Sequence, residues 1–284
     1  MKVFILALDG CEVGFVERWR LKGLMQKVYG SVEVPRECFA KILGRDGRII
    51  YEPYTPMVWY AFITGTLPKG RIGRLLQRRR WTNPLVDKLV DVFARGWGLE
   101  RKFGILRRMG FKRRVVDRRD YGVPTIFDHA ERAYAVDVPA YSPMWNLGIY
   151  EGEFGLDKIP NVIREAFRRF EEKTKRVSEL IQSEWDLIMV WTKLLDIVGE
   201  LAFGLPEMYR AYRTADRYVQ KLSQELGDEA VLLVVSDHGM KRLEGTRSFG
   251  MHTTRAFWSL NFETDWRPKV VTDFYGKIVE WLRS

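Results

Sequence analysis

The stretch VLLVVSDHGM, residues 231–240, runs five apolar residues straight into Ser236, Asp237, His238 and Gly239. The chain has only three histidines, and a second one, His252 in GMHTT, follows soon after. Carboxylates beside imidazoles are the ligand set for zinc, manganese or iron. Other acids stand at comparable places. Asp9 ends the apolar run KVFILAL, and Asp196 and Glu200 follow DLIMVW, four residues apart as on one helix face. Thr55 precedes Pro56 where a loop should enter a helix, and a hydroxyl there meets free backbone N–H groups and the positive end of the helix dipole. Singly, each has an ordinary explanation: an Asp after a strand caps a turn, Thr-Pro opens many helices, and two acids four apart suit a solvated face. Together, the acids, the two imidazoles and the hydroxyl suggest a two-metal site built around a nucleophile, suited to metal-assisted phosphoryl transfer. The third histidine, His129 in FDHAERA, reads as structural.

These residues can meet only if the strands that precede them end at one edge. Continuously apolar segments at 2–8, 133–138, 186–191 and 230–235 read as buried strands, and 49–51 as the end of another. Amphipathic or Pro-initiated segments at about 11–28, 54–63, 124–132, 160–183, 205–226 and 274–282 separate or flank them as helices. Helices alternating with short apolar strands predict an α/β fold with a mostly parallel central sheet covered on both faces. In such sheets ligands bind beyond the carboxyl ends of the strands, where Asp9, Asp196 and Asp237 fall.

The order and spacing of these blocks resemble the alkaline phosphatase superfamily, in particular its type I phosphodiesterase/nucleotide pyrophosphatase branch. LALDG resembles the first metal-binding strand end, and YTPMVWYAFITGTLP the nucleophile signature. PTIFDHAERAYAVDVPAYSP resembles the helix-strand-Pro stretch that follows, DLIMVWTKLLDIVGE the strand with a D-x-x-x-H element, and VVSDHGM with GMHTT the last ligand blocks. The resemblance implies a three-layer α/β/α sandwich over a single domain, 1–284, and a metal-dependent phosphodiesterase or phosphatase. It implies Thr55 as nucleophile, with Asp9, Thr55, Asp237 and His238 around one divalent ion and Asp196, Glu200 and His252 around a second. Gly239 would let the backbone turn close to the ion. The ions would be zinc or manganese, with magnesium a harder alternative. Two departures stand out: Glu200 replaces the family's histidine, which leans that site toward harder ions, and Pro68-Lys69-Gly70-Arg71-Ile72 replaces P-x-x-H-G. The sulfatase motif C-x-P-x-R is absent around Cys11 and Cys38, and the chain has no room for the second large domain of a cofactor-independent phosphoglycerate mutase.

Segment 69–120 lies outside the resemblance. It carries 17 Lys/Arg against five Asp/Glu, so the net charge of +10 belongs to it and the remainder of the chain is slightly acidic. A basic, helical cap insertion is expected there. It reads as a solvated surface, as a funnel for anionic substrate in which Arg71 and Arg78 contact the ligand, or as a nucleic-acid or anionic-membrane surface. The partner is then a phosphate-ester small molecule or a nucleotide. The competing class is a non-catalytic or degenerate member of the family that binds nucleic acid or anionic lipid through 69–120. Hydrophobic residues at 46% suffice for a packed core and exclude global disorder. Two cysteines form neither a disulfide framework nor a C-x-x-C site. The opening MKVFILALDG is too short for a signal peptide or a membrane span, so a cytoplasmic location is expected.

Overall fold

A computed structural model describes residues 1–43, 49–77, 80–81, 113–114, 116, 118–142 and 156–284. Twelve strands and eight helices are described. The strands are β1 (Lys2–Leu8), β2 (Val28–Glu33), β3 (Phe39–Leu43), β4 (Ile49–Pro53), β5 (Arg80–Trp81), β6 (Arg113–Arg114), β7 (Ala133–Val136), β8 (Leu187–Thr192), β9 (Ala230–Val235), β10 (Met240–Arg242), β11 (Gly250–His252) and β12 (Arg255–Leu260). The helices are α1 (Val13–Arg18), α2 (Lys22–Met25), α3 (Thr55–Thr64), α4 (Gly70–Gln77), α5 (Ile159–Ile181), α6 (Leu194–Leu201), α7 (Pro206–Leu226) and α8 (Asp273–Arg283).

Six strands form the central sheet in the order β2-β12-β9-β1-β8-β7. The four from β9 to β7 run parallel, while β12 is antiparallel to both β9 and β2. Successive side chains on a strand point to opposite faces, so each apolar strand feeds two cores. Phe4, Leu6 and Leu8 of β1 join Leu232 and Val234 of β9 in the layer with α1, α2, α5, α6 and α7. Val3, Ile5 and Ala7 join Leu187, Met189 and Val231 in the layer with α3 and α8. The result is the expected three-layer α/β/α sandwich with a mostly parallel sheet.

Register decides what the fold can present. Leu8 pairs with Thr192, and Ala7 with Val235, so β1, β8 and β9 end level with one another. Asp9, Lys193 and Ser236 therefore leave the sheet side by side, and the Asp9 N–H donates to Thr192 O at 3.0 Å. Because β12 is antiparallel, its start lies at that same edge, which carries His252 there on the preceding strand.

Several elements differ from the sequence expectation. The amphipathic stretch after Gly10 is two short helices, and Val28 begins an edge strand paired with β12. Its alternation is short and interrupted by Gly30, so only the cross-strand partner reveals it. Residues 124–132 hold a single 3-10 turn, Ile126–His129, rather than a helix. Thr125 and Asp128 close that turn on themselves in a capping box, with the Thr125 N–H and Oγ1 both donating to Asp128 Oδ2. His129 contacts Tyr275 OH at 2.8 Å, away from the other histidines and consistent with a structural role. Of the basic segment, α4 and the pairing of β5 with β6 are described; Arg71 is exposed on α4. Arg78 and most of 82–117 lie outside the described residues. Among the described residues no helix is long and apolar enough to cross a membrane.

One buried acid holds the layer of α2 and α7 together. Asp216, fully buried, accepts from Leu24 N–H at 3.1 Å and from Gln220 Nε2 at 2.9 Å. Asp216→Ala strands a buried backbone donor, so urea denaturation should show a loss of about 1–3 kcal/mol. Replacement that leaves the midpoint unchanged would contradict this role.

Candidate metal centre

At the level edge of β1, β8 and β9, three carboxylates and an imidazole are withdrawn from solvent. Asp9, Asp196, Asp237 and His238 are each no more than 1% exposed. His238 Nε2 lies 3.1 Å from Asp9 Oδ1, 3.6 Å from Asp237 Oδ2 and 3.9 Å from Asp196 Oδ1. His252 Nε2 lies 3.3 Å from Asp196 Oδ1 and 3.4 Å from Glu200 Oε1. The two rings stack at 3.7 Å with an interplanar angle of 17°. Two groups result, Asp9-Asp237-His238 and Asp196-His238-His252, with His238 common to both.

Both imidazoles are oriented from behind. His238 Nδ1 lies 3.0 Å from Gly239 O, and His252 Nδ1 lies 3.2 Å from Pro53 O. A carbonyl can only accept, so each Nδ1 carries a proton and each ring turns its Nε2 into the site. Those Nε2 atoms make no hydrogen bond, nor do Asp9 Oδ1 and Oδ2, Asp196 Oδ1 or Asp237 Oδ2. The 3.1 Å approach of His238 to Asp9 is thus a close contact without hydrogen-bond geometry. Six buried, inward-facing donor atoms without partners are a costly arrangement unless a cation joins them. The donor set fits divalent metal.

The electrostatics point the same way. Burial raises the Asp9 carboxyl well above the usual carboxylate range, and the charges of Asp237 and Asp196 raise it further. Burial acts to lower His238, but Asp237 and Asp9 outweigh it and push the pKa up to about 9. Burial likewise opposes protonation of His252, whose pKa is nevertheless driven up by Asp196, Glu200 and Glu52. Burial would raise Asp196, but Lys193, His252 and His238 together hold it well below the carboxylate range. Protons on the two rings therefore balance the carboxylates in the metal-free protein, and two like charges are held in stacked rings.

Of the expected site residues, Asp9, Asp196, Asp237, His238 and His252 meet here, with Glu200 beside His252. Asp196 and Glu200 share one face of α6, as their spacing predicts, with His252 opposite both. Thr55 is the first residue of α3, and Tyr54, rather than Thr55, is the N-cap. No side chain caps that end. The preceding residues of β4 dock onto His252: its N–H donates to Glu52 Oε2 at 3.3 Å, and Pro53 O takes its ring proton. Gly239 has no positive φ, and the need for glycine there is close approach. A Cβ there would lie 2.0 Å from Glu12 Oε2 and 2.5 Å from Thr253 Oγ1. The left-handed glycine is Gly10, at φ 77°, where a Cβ would come within 2.8 Å of Asp196 Cα.

Three residues escaped sequence reasoning. Lys193 pairs with Asp196 Oδ2 at 3.1 Å. Glu52 braces His252. Glu12 accepts from Met240 N–H at 3.2 Å and from Thr253 Oγ1 at 3.1 Å, which fastens the loops carrying His238 and His252 to the end of β1. A charge immediately after an apolar strand was a usable signal for Lys193; Glu12 and Glu52 have none, because their partners are distant in sequence.

Metal must displace protons from His238 and His252, so loading near neutral pH should release about one to two protons per chain. Both rings have raised pKa values, so apparent affinity should rise with pH as their protons are lost, through about 9 for His238. Calorimetry of Zn²⁺ or Mn²⁺ binding in buffers of different ionisation enthalpy measures this, and pH-independent affinity would contradict it. In the same titrations Asp237→Ala should lose an ion. Glu200→Ala should weaken the other, and Glu200→His should shift its preference toward Zn²⁺.

A sequence model of the type I phosphodiesterase/nucleotide pyrophosphatase family matches residues 107–271, more than half of the chain. The match contains Asp196, Glu200, Asp237, His238 and His252, and begins after Asp9 and Thr55. No curated protein sequence matches the chain. Similar solved structures include murine ectonucleotide pyrophosphatase/phosphodiesterase 5, at 14% identity and a TM-score of 0.46, covering 86% of this chain and 59% of that one. Phosphonoacetate hydrolase from Sinorhizobium meliloti 1021, in complex with phosphonoformate, is 16% identical with a TM-score of 0.48, covering 85% of this chain and 57% of that one. The chain thus spans less than two thirds of the length of either structure. Matched over more than half of its length, the chain belongs to the type I phosphodiesterase/nucleotide pyrophosphatase family.

Proposed function

We propose that the chain is a metal-dependent phosphodiesterase or phosphatase that uses Thr55 as its nucleophile between two divalent ions. The observation that carries this reading is the set of buried, unpartnered ligand atoms on Asp9, Asp196, Asp237, His238 and His252, converging at one sheet edge. Asp9, Thr55, Asp237 and His238 would hold one ion, and Asp196, Glu200 and His252 the other. When bound, the ions would supply Lewis-acid charge that favours ionised oxygen nucleophiles and stabilises the phosphoryl group in transfer.

The chain's own residues do the rest. Thr55 Oγ attacks phosphorus and gives its proton to solvent, while the P–O bond to the leaving group breaks and its electron pair departs on the ester oxygen; water then attacks phosphorus, one of its protons returning to Thr55 Oγ as the phosphothreonine P–O bond breaks. Pro56 has no N–H and Met57 N–H donates to Tyr54 O at 2.8 Å, so the N-terminus of α3 would offer the Thr55 N–H to a phosphate oxygen. Lys193 compensates the carboxylates of Asp196 and its neighbours, and its own pKa is held up by Asp196, Asp9 and Glu200 against the effect of burial. We further propose that segment 69–120 forms a basic cap on the single domain, with Arg71 and Arg78 drawing anionic substrate toward the edge.

Thr55→Ala should lower kcat by about a thousandfold or more while the remaining carboxylate and imidazole ligands retain both ions, and Thr55→Ser should keep part of the activity. Chromogenic mono- and diesters assayed with Zn²⁺, Mn²⁺ and Mg²⁺ provide the measurement. Equal turnover by wild type and Thr55→Ala removes Thr55 from the reaction. No turnover with any ion, together with tight binding of nucleic acid or anionic vesicles, favours the non-catalytic class. Arg71→Glu should lower kcat/KM by an amount that shrinks as salt rises, because exposed charges are screened.

A further inference from the structure

Beside the metal groups, a cavity of about 390 Å³ lies among the end of β7, the end of β8, and helices α5 and α6. Val136, Ala166, Phe170, Trp191, Leu194 and Ile197 supply its apolar wall. Four cations also line it, Arg169, Lys173, Arg176 and Lys193, against one carboxylate, Glu172, which is already paired with Arg168. The exposed side chains of Arg176 and Glu172 place the mouth on the solvent side of α5.

The donors exceed what the protein satisfies. Arg169 Nε is tied to Glu165 Oε1 at 2.7 Å, which fixes the guanidinium, while its Nη1 is buried with no partner. Trp191 is 3% exposed, and its Nε1 is also buried without an acceptor. Lys173 is held by Asp137 Oδ2 at 2.7 Å and by Trp191 O at 2.5 Å, with Nζ 5.6 Å from the Trp191 ring centroid. Burial lowers the pKa of Lys173, Asp137 opposes that, and Arg169 and Arg176 push it down further, as expected where cations crowd. Buried donors without acceptors are costly. An apolar cavity of this size with surplus donors is complementary to a small organic anion.

We propose that this cavity binds a small organic anion, a phosphate or carboxylate on an apolar body. The anion lies against Arg169 and Arg176, and the body against Phe170, Trp191 and Leu194. The site is separate from the metal groups but adjoins them through Lys193, whose Nζ is 3.1 Å from Asp196 Oδ2. Two sources have this chemistry: a second anionic group on a substrate held at the metal centre, or a separate effector.

Calorimetric titration of the full chain with 2-naphthyl phosphate tests the site. Asp237→Ala titrated in EDTA serves as the background in which both ligand groups are empty of metal, so the readout depends neither on hydrolysis nor on phosphate held by an ion. Binding should persist there, and Arg169→Gln or Arg176→Gln added to it should weaken affinity about tenfold. Arg176 is exposed, so its replacement leaves the fold intact. Inorganic phosphate, lacking the apolar body, should bind more weakly than the naphthyl ester. Loss of all binding in Asp237→Ala, or equal affinity with and without both arginine replacements, overturns the proposal. With Asp237 intact, a tenfold fall in kcat/KM in Arg176→Gln for a diester bearing a second anion assigns the anion to substrate. Unchanged kcat/KM with weakened naphthyl phosphate binding assigns it to an effector. Either outcome keeps the cavity as an anion site.

Discussion

The structure is organised around the mutual repulsion of carboxylates that have been taken out of water. Asp9, Asp196 and Asp237 are buried within reach of one imidazole, and Glu200 stands across from a second. Burying such groups without a counter-charge costs several kcal/mol each, far more than a surface ion pair returns. The cluster persists because Lys193 and the two imidazoles sit among the acids, and because their inward-facing atoms suit a cation of higher charge than a proton. Stability and function are therefore the same electrostatic question at this edge. The metal-free protein holds protons where the loaded protein would hold ions.

Tolerance of that cluster depends on a rigid support. The ends of β1, β9 and β11 and helix α6 deliver its members, and their positions follow from hydrogen-bond register rather than from contacts among the charged groups themselves. The pairing of Leu8 with Thr192 and Ala7 with Val235 levels three strand ends. Gly10 then allows the chain to pass within contact of the Asp196 backbone, which any Cβ would prevent. Glu12 ties the loops of His238 and His252 to β1, and the carbonyls of Gly239 and Pro53 set the tautomers. None of these supports touches the space between the inward-facing atoms. Each one determines where a ligand atom points.

The adjoining cavity extends the same logic to the outer side of β8. There the imbalance has the opposite sign, with donors in excess of acceptors and an apolar wall. A carboxylate-rich pocket and a donor-rich pocket share Lys193 as their boundary. Such a pair of neighbouring sites can hold a cation and an anion at once, each lowering the cost of the other.

Much of this was legible in the sequence where chemistry is local. The apolar runs before Asp9 and Asp237 marked strand ends, the four-residue spacing of Asp196 and Glu200 placed both acids on one helical face, and the two paired histidine blocks marked the ligand set. The α/β layering followed from the alternation of long amphipathic segments with short buried ones. What the sequence could not carry was anything set by a partner far along the chain. The edge strand at Val28–Glu33 exists because β12 pairs with it. Glu12 and Glu52 gain their roles from neighbours that only the fold brings near. The need for glycine lay at Gly10, through its left-handed backbone, and at Gly239, through the nearness of Glu12 and Thr253. The sequence by itself determined which atoms could bind metal, because that is a property of residue type. Tertiary structure decided which of those atoms meet and how far they are from water, because distance and burial are set by register and packing across the whole sheet.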